Sequence, residues 1–204
     1  MGTLPEAIHA KTQARVRSYL ESRDDWNLSR SLKNLIEQAI RDYEHRALLE
    51  LVQNAHDAQP QGKRDGRILI RIDRDEGEFG VLYVANTGQP FTKSNFDSIC
   101  DVAQSDKRAD EGIGNKGIGF KSTLQLCRVP EIYSTSPVGD SYDGFNGYCF
   151  RFADDDDFLA LANGDKRGAE ELGRDVFHLC LPIPLFEIPA SVLDFGDEGY
   201  GTVI

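Results

Sequence analysis

Apolar residues recur every three or four positions through the first quarter of the chain. Ile8, Val16, Tyr19 and Leu20 mark a moderately amphipathic helix from about Pro5 to Glu21. After a polar break at Arg23–Asn27, the same period returns more strongly at Leu28, Leu32, Leu35, Ile36, Ala39, Ile40 and Tyr43. It predicts a second helix that runs toward Arg46–Ala58. In that stretch Glu50, Asn54 and Asp57 fall within about 60° of one another at about 3.6 residues per turn. Leu48, Leu51, Val52 and Ala55 fall on the opposite side. One face thus carries two carboxylates and an amide with core behind it, which also describes an ordinary helix with a solvated face. Gln59-Pro60-Gln61-Gly62 ends the run.

The period then changes to two. Arg67–Ile72 alternates, Asp75–Glu78 turns and Gly80–Ala85 is apolar, which predicts a β-hairpin with a largely buried second strand. The hairpin delivers the chain to a loop at Asn86–Thr92, and Phe96 to about Val102 reads as a short helix. Val129–Ser134 and Gly147–Phe152 read as strands joined by a loop from Ser136 to Asn146. Val176–Pro184 reads as a strand that leaves the sheet at its prolines. Asp154–Asp157 reads as a solvated turn before a short helix, Phe158–Ala162, with metal binding the weaker alternative.

Between these lies Gly112-Ile113-Gly114-Asn115-Lys116-Gly117-Ile118-Gly119-Phe120-Lys121-Ser122, after which Phe120–Leu126 resumes a helical pattern. Glycines let backbone N–H groups approach an anion, and a helix N-terminus and two lysines add positive charge. A phosphate cradle needs these parts, although a plain flexible loop has the same composition. The order is not that of a P-loop, and no βαβ unit precedes it.

Composition narrows the classes. The 204 residues suit one globular domain with a substantial core. A net charge of −11 argues against a basic nucleic-acid surface over the whole chain. Cys100, Cys127, Cys149 and Cys180 form no CxxC pair and suit buried free thiols in a reducing compartment. The four histidines show no ligand spacing, so zinc is not expected. No signal peptide or membrane-spanning stretch is evident, and the cytosol is the expected location.

Taken in order, three of these stretches and the C-terminal one resemble the boxes of the GHKL superfamily: gyrase B subunits, heat-shock chaperones, sensor histidine kinases and mismatch-repair MutL proteins. Glu50–Ala58 resembles the ExxxNxxDA box, and Asn86-Thr87-Gly88 stands in the place of the DxG box. Ile113–Ser122 resembles the glycine box that ends the ATP lid, and Gly199–Ile204 resembles the late Gly-Thr-x-Ile strand. The likeness covers about residues 43–204. Glu50–Asn54 and Gly114–Lys121 look closest to the sacsin-like branch.

The resemblance implies an α+β, two-layer sandwich of the Bergerat type. Its sheet would be mixed and mostly antiparallel, with helices on one face and an ATP lid over Ser94–Glu111. It implies residues 1–26 as a helical extension and 27–204 as the nucleotide-binding domain. The implied activity is Mg²⁺-dependent ATP binding and slow hydrolysis. Glu50 would be the general base, Asn54 the Mg²⁺ ligand, and Asp57 a support beneath them. Gly114, Lys116, Gly117, Gly119, Phe120 and Lys121 would wrap the phosphates. Gly88 would let the backbone pass close to the base, and Thr202 would bind the adenine amine.

One departure stands out. The family's adenine reader is an Asp, and here it is Asn86, whose amide can accept from an amine or donate to a carbonyl. Base selectivity is therefore open between adenine and guanine, and a charge-assisted bond is lost. Pro90 stiffens the turn that follows.

Hydrolysis driving lid closure and conformational change in a larger chaperone-like machine is the leading expectation. A non-hydrolysing nucleotide switch and a degenerate interaction domain are the alternatives. A histidine kinase is disfavoured, because Glu50 suits attack by water. The chain stops just as the Gly-Thr strand begins, which reads as a fragment of a longer protein. The expected partners are ATP, the rest of that chain and a second copy through the lid, with neither membrane nor nucleic acid indicated.

Overall fold

The two alternating segments form the hairpin that starts the sheet. A computed structural model describes residues 3–21, 26–42, 46–60, 65–101, 119–136 and 144–204. In it β1 (Ile68–Asp73) pairs antiparallel with β2 (Val81–Asn86), from Asp73 opposite Val81 to Ile68 opposite Asn86. Gly80 closes the turn at φ +85°, where an added Cβ would meet Asp73 O at 2.9 Å, so a residue without a side chain is required.

The other strands are β3 (Glu131–Ser134), β4 (Phe150–Phe152), β5 (Pro182–Pro184) and β6 (Thr202–Val203). The sheet order is β1-β2-β6-β3-β4-β5, and every pairing among the described residues is antiparallel. The last strand in sequence therefore lies in the middle, between β2 and β3.

Period-two alternation sorts side chains to two faces. Val84, Ile132, Phe150 and Phe152 point into the main helical layer. There they meet Ile8 of α1 (Leu4–Glu21), Ile36 and Ile40 of α2 (Trp26–Asp42), Leu51 and Ala55 of α3 (Ala47–Asp57), and Phe96 and Cys100 of α4 (Lys93–Cys100). Phe96 and Phe150 meet edge to face at 5.1 Å. Burying each such ring stabilises the fold by about 2–3 kcal/mol relative to exposure.

Tyr83, Ala85, Tyr133 and Val203 point the other way. They are covered by Val192 and Phe195 of α7 (Ala190–Asp197), so a helix also packs on the second face. A third cluster joins Val16 and Tyr19 of α1 to Phe158 and Leu161 of α5 (Asp157–Leu161) and Leu172 of α6 (Lys166–Asp175). The N-terminal helix thus shares the core of the sheet, and Thr12 Oγ1 donates to Pro182 O at 2.5 Å.

Several local expectations change. Val176–Cys180 is not a strand; a 3-10 turn occupies His178–Cys180, and the strand is the proline segment itself. Leu185 N donates to Cys149 O and Ala153 N to Leu181 O, so the ladder uses the residues flanking the prolines. The proline nitrogens face away from β4 on an edge strand, where a missing N–H costs no ladder bond. Leu48, expected behind α3, is 39% exposed. Cys100, Cys149 and Cys180 are buried and free, whereas Cys127 is exposed. Asp157 takes a two-pronged ion pair from Arg151 and caps the turn before α5. Among the described residues no group of three or more His, Cys, Asp or Glu is placed to hold a metal ion. No described helix is long and apolar enough to cross a membrane.

Candidate functional site

α3 buries Ala47, Leu51 and Ala55 against the sheet and turns Glu50, Asn54 and Asp57 away from it. The 3.6-residue period enforces this: burying one stripe leaves the opposite stripe at the surface. Glu50 is half-buried, and Asn54 and Asp57 are exposed.

The 3-10 helix Phe120–Gln125 packs on α3 and brings Gly119 against Glu50. A Cβ on Gly119 would sit 3.1 Å from Glu50 Cδ and closer still to Oε2. Only a glycine leaves the carboxylate its place. Phe120 is buried in the main core. The Lys121 side chain is 2% exposed, and its ammonium lies at the C-terminal end of α4, donating to Ile99 O at 3.3 Å and Asp101 O at 3.1 Å. Burial lowers its pKa. The side chain expected on phosphate thus reaches the C-terminal end of α4. Gly114, Lys116 and Gly117 lie outside the described residues, as does most of the Ser94–Glu111 segment.

The C-terminal end of α3 is tied to the loop after β2. Gln89 N donates to Ala58 O at 2.8 Å, and Gly88 runs so close that a Cβ would meet Ala58 O at 2.6 Å. Gly88 N in turn donates to Asn86 Oδ1 at 2.9 Å, and Gly201 N donates to Asn86 O at 2.9 Å.

Asn86, Thr202 and Ser134 stand side by side on three neighbouring strands. Thr202 is paired in register with Asn86 on one side and with Ser134 on the other. All three share the face that carries Val84 and Ile132, toward the helical layer. They are 4%, 2% and 0% exposed. Ser134 Oγ is satisfied, accepting from Phe91 N at 2.9 Å and donating to Thr135 O at 3.1 Å. Thr202 Oγ1 is buried and has no hydrogen-bond partner among the described residues. An orphaned hydroxyl costs about 1–3 kcal/mol, and few native groups carry that cost without a role.

The structure therefore joins Glu50, Asn54, Asp57, Asn86, Gly88, Gly119 and Thr202 through α3, the loop after β2, the start of the 3-10 helix and two adjacent strands. Ser134 completes the row and was not singled out in the sequence, where no local pattern marks it; Gly201, whose N–H donates to Asn86 O, is the glycine of the Gly-Thr-x-Ile stretch. A cleft of about 230 Å³ lined by Arg128, Asp154, Asp155 and His178, among others, shares no residue with this row.

The fold and the row define an α+β domain with an open antiparallel sheet, a helix that turns polar residues away from it and a buried polar row tied to the end of that helix. The chain belongs to the Sacsin domain family, whose match spans residues 27–143. That span contains Glu50, Asn54, Asp57, Asn86 and Gly88, and ends before Thr202. The chain is 33% identical over 126 residues to Protein NO VEIN of Arabidopsis thaliana, covering 61% of this chain and 4% of that protein. It is 30% identical over 131 residues to Sacsin of Homo sapiens, covering 53% of this chain and 3% of that protein. The chain thus spans a few per cent of the length of these curated relatives. No solved structure matches.

Proposed function

We propose that this Sacsin-family chain is a GHKL-type nucleotide-binding domain that binds ATP with Mg²⁺ and hydrolyses it slowly, within a longer, conformationally coupled protein. The observation that carries the reading is the Thr202 hydroxyl, without a hydrogen-bond partner among the described residues and buried beside Asn86 in a row that is tied through Gly88 and Gln89 to the C-terminal end of α3. A purine edge supplies the missing polar partner. Gly88 and Gly119 leave no room for a Cβ where the loop and the glycine segment close on Asn86 and Glu50, so both stretches are built for close backbone approach.

The residues fit the chemistry. Glu50 is half-exposed, next to a backbone with no side chain, and can accept a proton from an attacking water. Asn54, one turn further on, offers an amide oxygen on the same face, a ligand type that Mg²⁺ accepts. Mg²⁺, when bound, neutralises charge on the phosphate oxygens. Asn86 and Thr202 hold the base edge, and Gly88 lets it lie against the main chain.

A second reading, a nucleotide-binding switch that does not hydrolyse, is favoured by the Lys121 ammonium being held at α4. Calorimetry with a non-hydrolysable ATP analogue, with and without Mg²⁺, tests binding. Release of phosphate by the wild type and by Glu50→Gln tests turnover. The ATPase reading expects Mg²⁺-dependent binding in both proteins and a loss of about 10²-fold or more in turnover for the variant. Equal turnover removes Glu50 as base. Binding without turnover in the wild type supports the switch, and absence of binding overturns both readings.

A further inference from the structure

The orientation of the Asn86 amide is fixed by its surroundings. Gly88 N–H points at Oδ1 from 2.9 Å, and a flipped amide would set an NH₂ group against that donor. The Gly88 main chain also covers this oxygen: a Cβ there would lie 2.7 Å from Oδ1. The acceptor of Asn86 is thus turned inward and occupied. The NH₂ group is what the side chain offers to a ligand; it makes no hydrogen bond among the described residues.

The neighbours do not reverse this. Thr202 Oγ1 can donate or accept, so it serves either kind of base. Ser134 Oγ is taken by Phe91 N and Thr135 O. Thr135 Oγ1 donates to Gly201 O at 3.3 Å. No carboxylate stands in the row.

Resting on the nucleotide reading above, we propose that this subsite reads the 6-position of the purine with a hydrogen-bond donor, and that it takes 6-oxopurine nucleotides at least as well as adenine nucleotides. The Asn86 NH₂ donates to a 6-carbonyl oxygen. Against the 6-amine of adenine it sets donor against donor and leaves a buried polar group unmatched. Such a mismatch is worth about tenfold in affinity or more.

The test is calorimetric titration of the chain with ADP, GDP and IDP in the presence of Mg²⁺, repeated on Asn86→Asp. IDP carries the 6-carbonyl without the 2-amino group of guanine, so it isolates the 6-position. The proposal expects the Kd for IDP to equal or fall below that for ADP. It expects Asn86→Asp to shift the IDP-to-ADP ratio by tenfold or more toward ADP. Binding of ADP more than tenfold tighter than both 6-oxopurines by the wild type overturns the donor assignment and leaves the nucleotide reading standing. An unchanged ratio in Asn86→Asp has the same meaning. Failure of all three to bind overturns this inference together with the nucleotide site.

Discussion

The carboxylate of Glu50 rests on the backbone of Gly119, so close that a Cβ on Gly119 would lie 3.1 Å from Glu50 Cδ. The obstructing atoms belong to the end of a flexible side chain. Gly119→Ala is therefore expected to turn the carboxylate aside at a cost to stability below about 1 kcal/mol. Under the ATPase reading, turnover falls at least tenfold, while the Kd for a non-hydrolysable ATP analogue changes less than threefold. Thermal melting, titration and phosphate release on one preparation separate these effects. A large loss of stability contradicts the geometry.

Gly88 has the opposite character. The atoms nearest its added Cβ are Ala58 O at 2.6 Å, Ala58 C at 2.7 Å and Asn86 Oδ1 at 2.7 Å, the first two of them main chain at the end of α3. Neither can yield without breaking the Gln89–Ala58 or Gly88–Asn86 hydrogen bond. Gly88→Ala should destabilise the fold by about 1–3 kcal/mol and abolish nucleotide binding. Chemical denaturation measures the first and calorimetry the second. An alanine variant of wild-type stability would show that the loop does not pack as described.

Thr202→Val removes a buried hydroxyl that has no hydrogen-bond partner among the described residues. Deleting an unsatisfied group is neutral or stabilising by up to about 1 kcal/mol. The same change should weaken nucleotide binding about tenfold. Denaturation midpoints and calorimetric Kd values are thus expected to move in opposite senses. A destabilised variant means the hydroxyl is satisfied in solution.

Asp175 is a buried carboxylate far from the candidate site. It receives two bonds from Arg174, one from Arg30 Nε at 2.7 Å and one from Tyr19 OH at 2.9 Å, tying α6 to α2 and α1. The Arg174 bond holds its pKa well below the usual carboxylate range, with Arg30 and Tyr19 adding to the effect and burial opposing it. The stability it contributes is fully present above the unfolded value of about 4 and is lost as pH falls through the depressed folded value. The unfolding free energy should therefore decline below about pH 4, and Asp175→Asn should remove part of that slope. At neutral pH the variant should be less stable by about 2–3 kcal/mol, less than for a fully buried pair because both arginines are half-exposed. Urea melts at several pH values measure both. Parallel curves for the two proteins would rule out Asp175 as a source of acid sensitivity.

The helical period of residues 4–21, 26–42 and 47–57 and the alternation of the hairpin were legible because each segment buries a regular apolar stripe. α6 was not legible. Its buried positions Gly168, Glu171, Leu172 and Asp175 have helical spacing but include only one apolar side chain. α7 is a short helix with Val192 and Phe195 as its buried contacts. β5 was hidden by prolines that an edge strand tolerates.

The sequence by itself determined which local segments form and where polar side chains and glycines fall along them: Glu50 and Asn54 on one helix face, Asn86 where the resemblance expects an Asp, and glycines at Gly88 and Gly119. It could not determine neighbours. A strand's alternation says which side chains share a face, not which strand lies alongside, because pairing depends on how the whole sheet buries its surface. Only the tertiary structure placed β6 between β2 and β3, set Thr202 between Asn86 and Ser134 with its hydroxyl unbonded among the described residues, turned the Asn86 oxygen inward onto Gly88 N–H, and drew the Lys121 ammonium to the carbonyls at the end of α4.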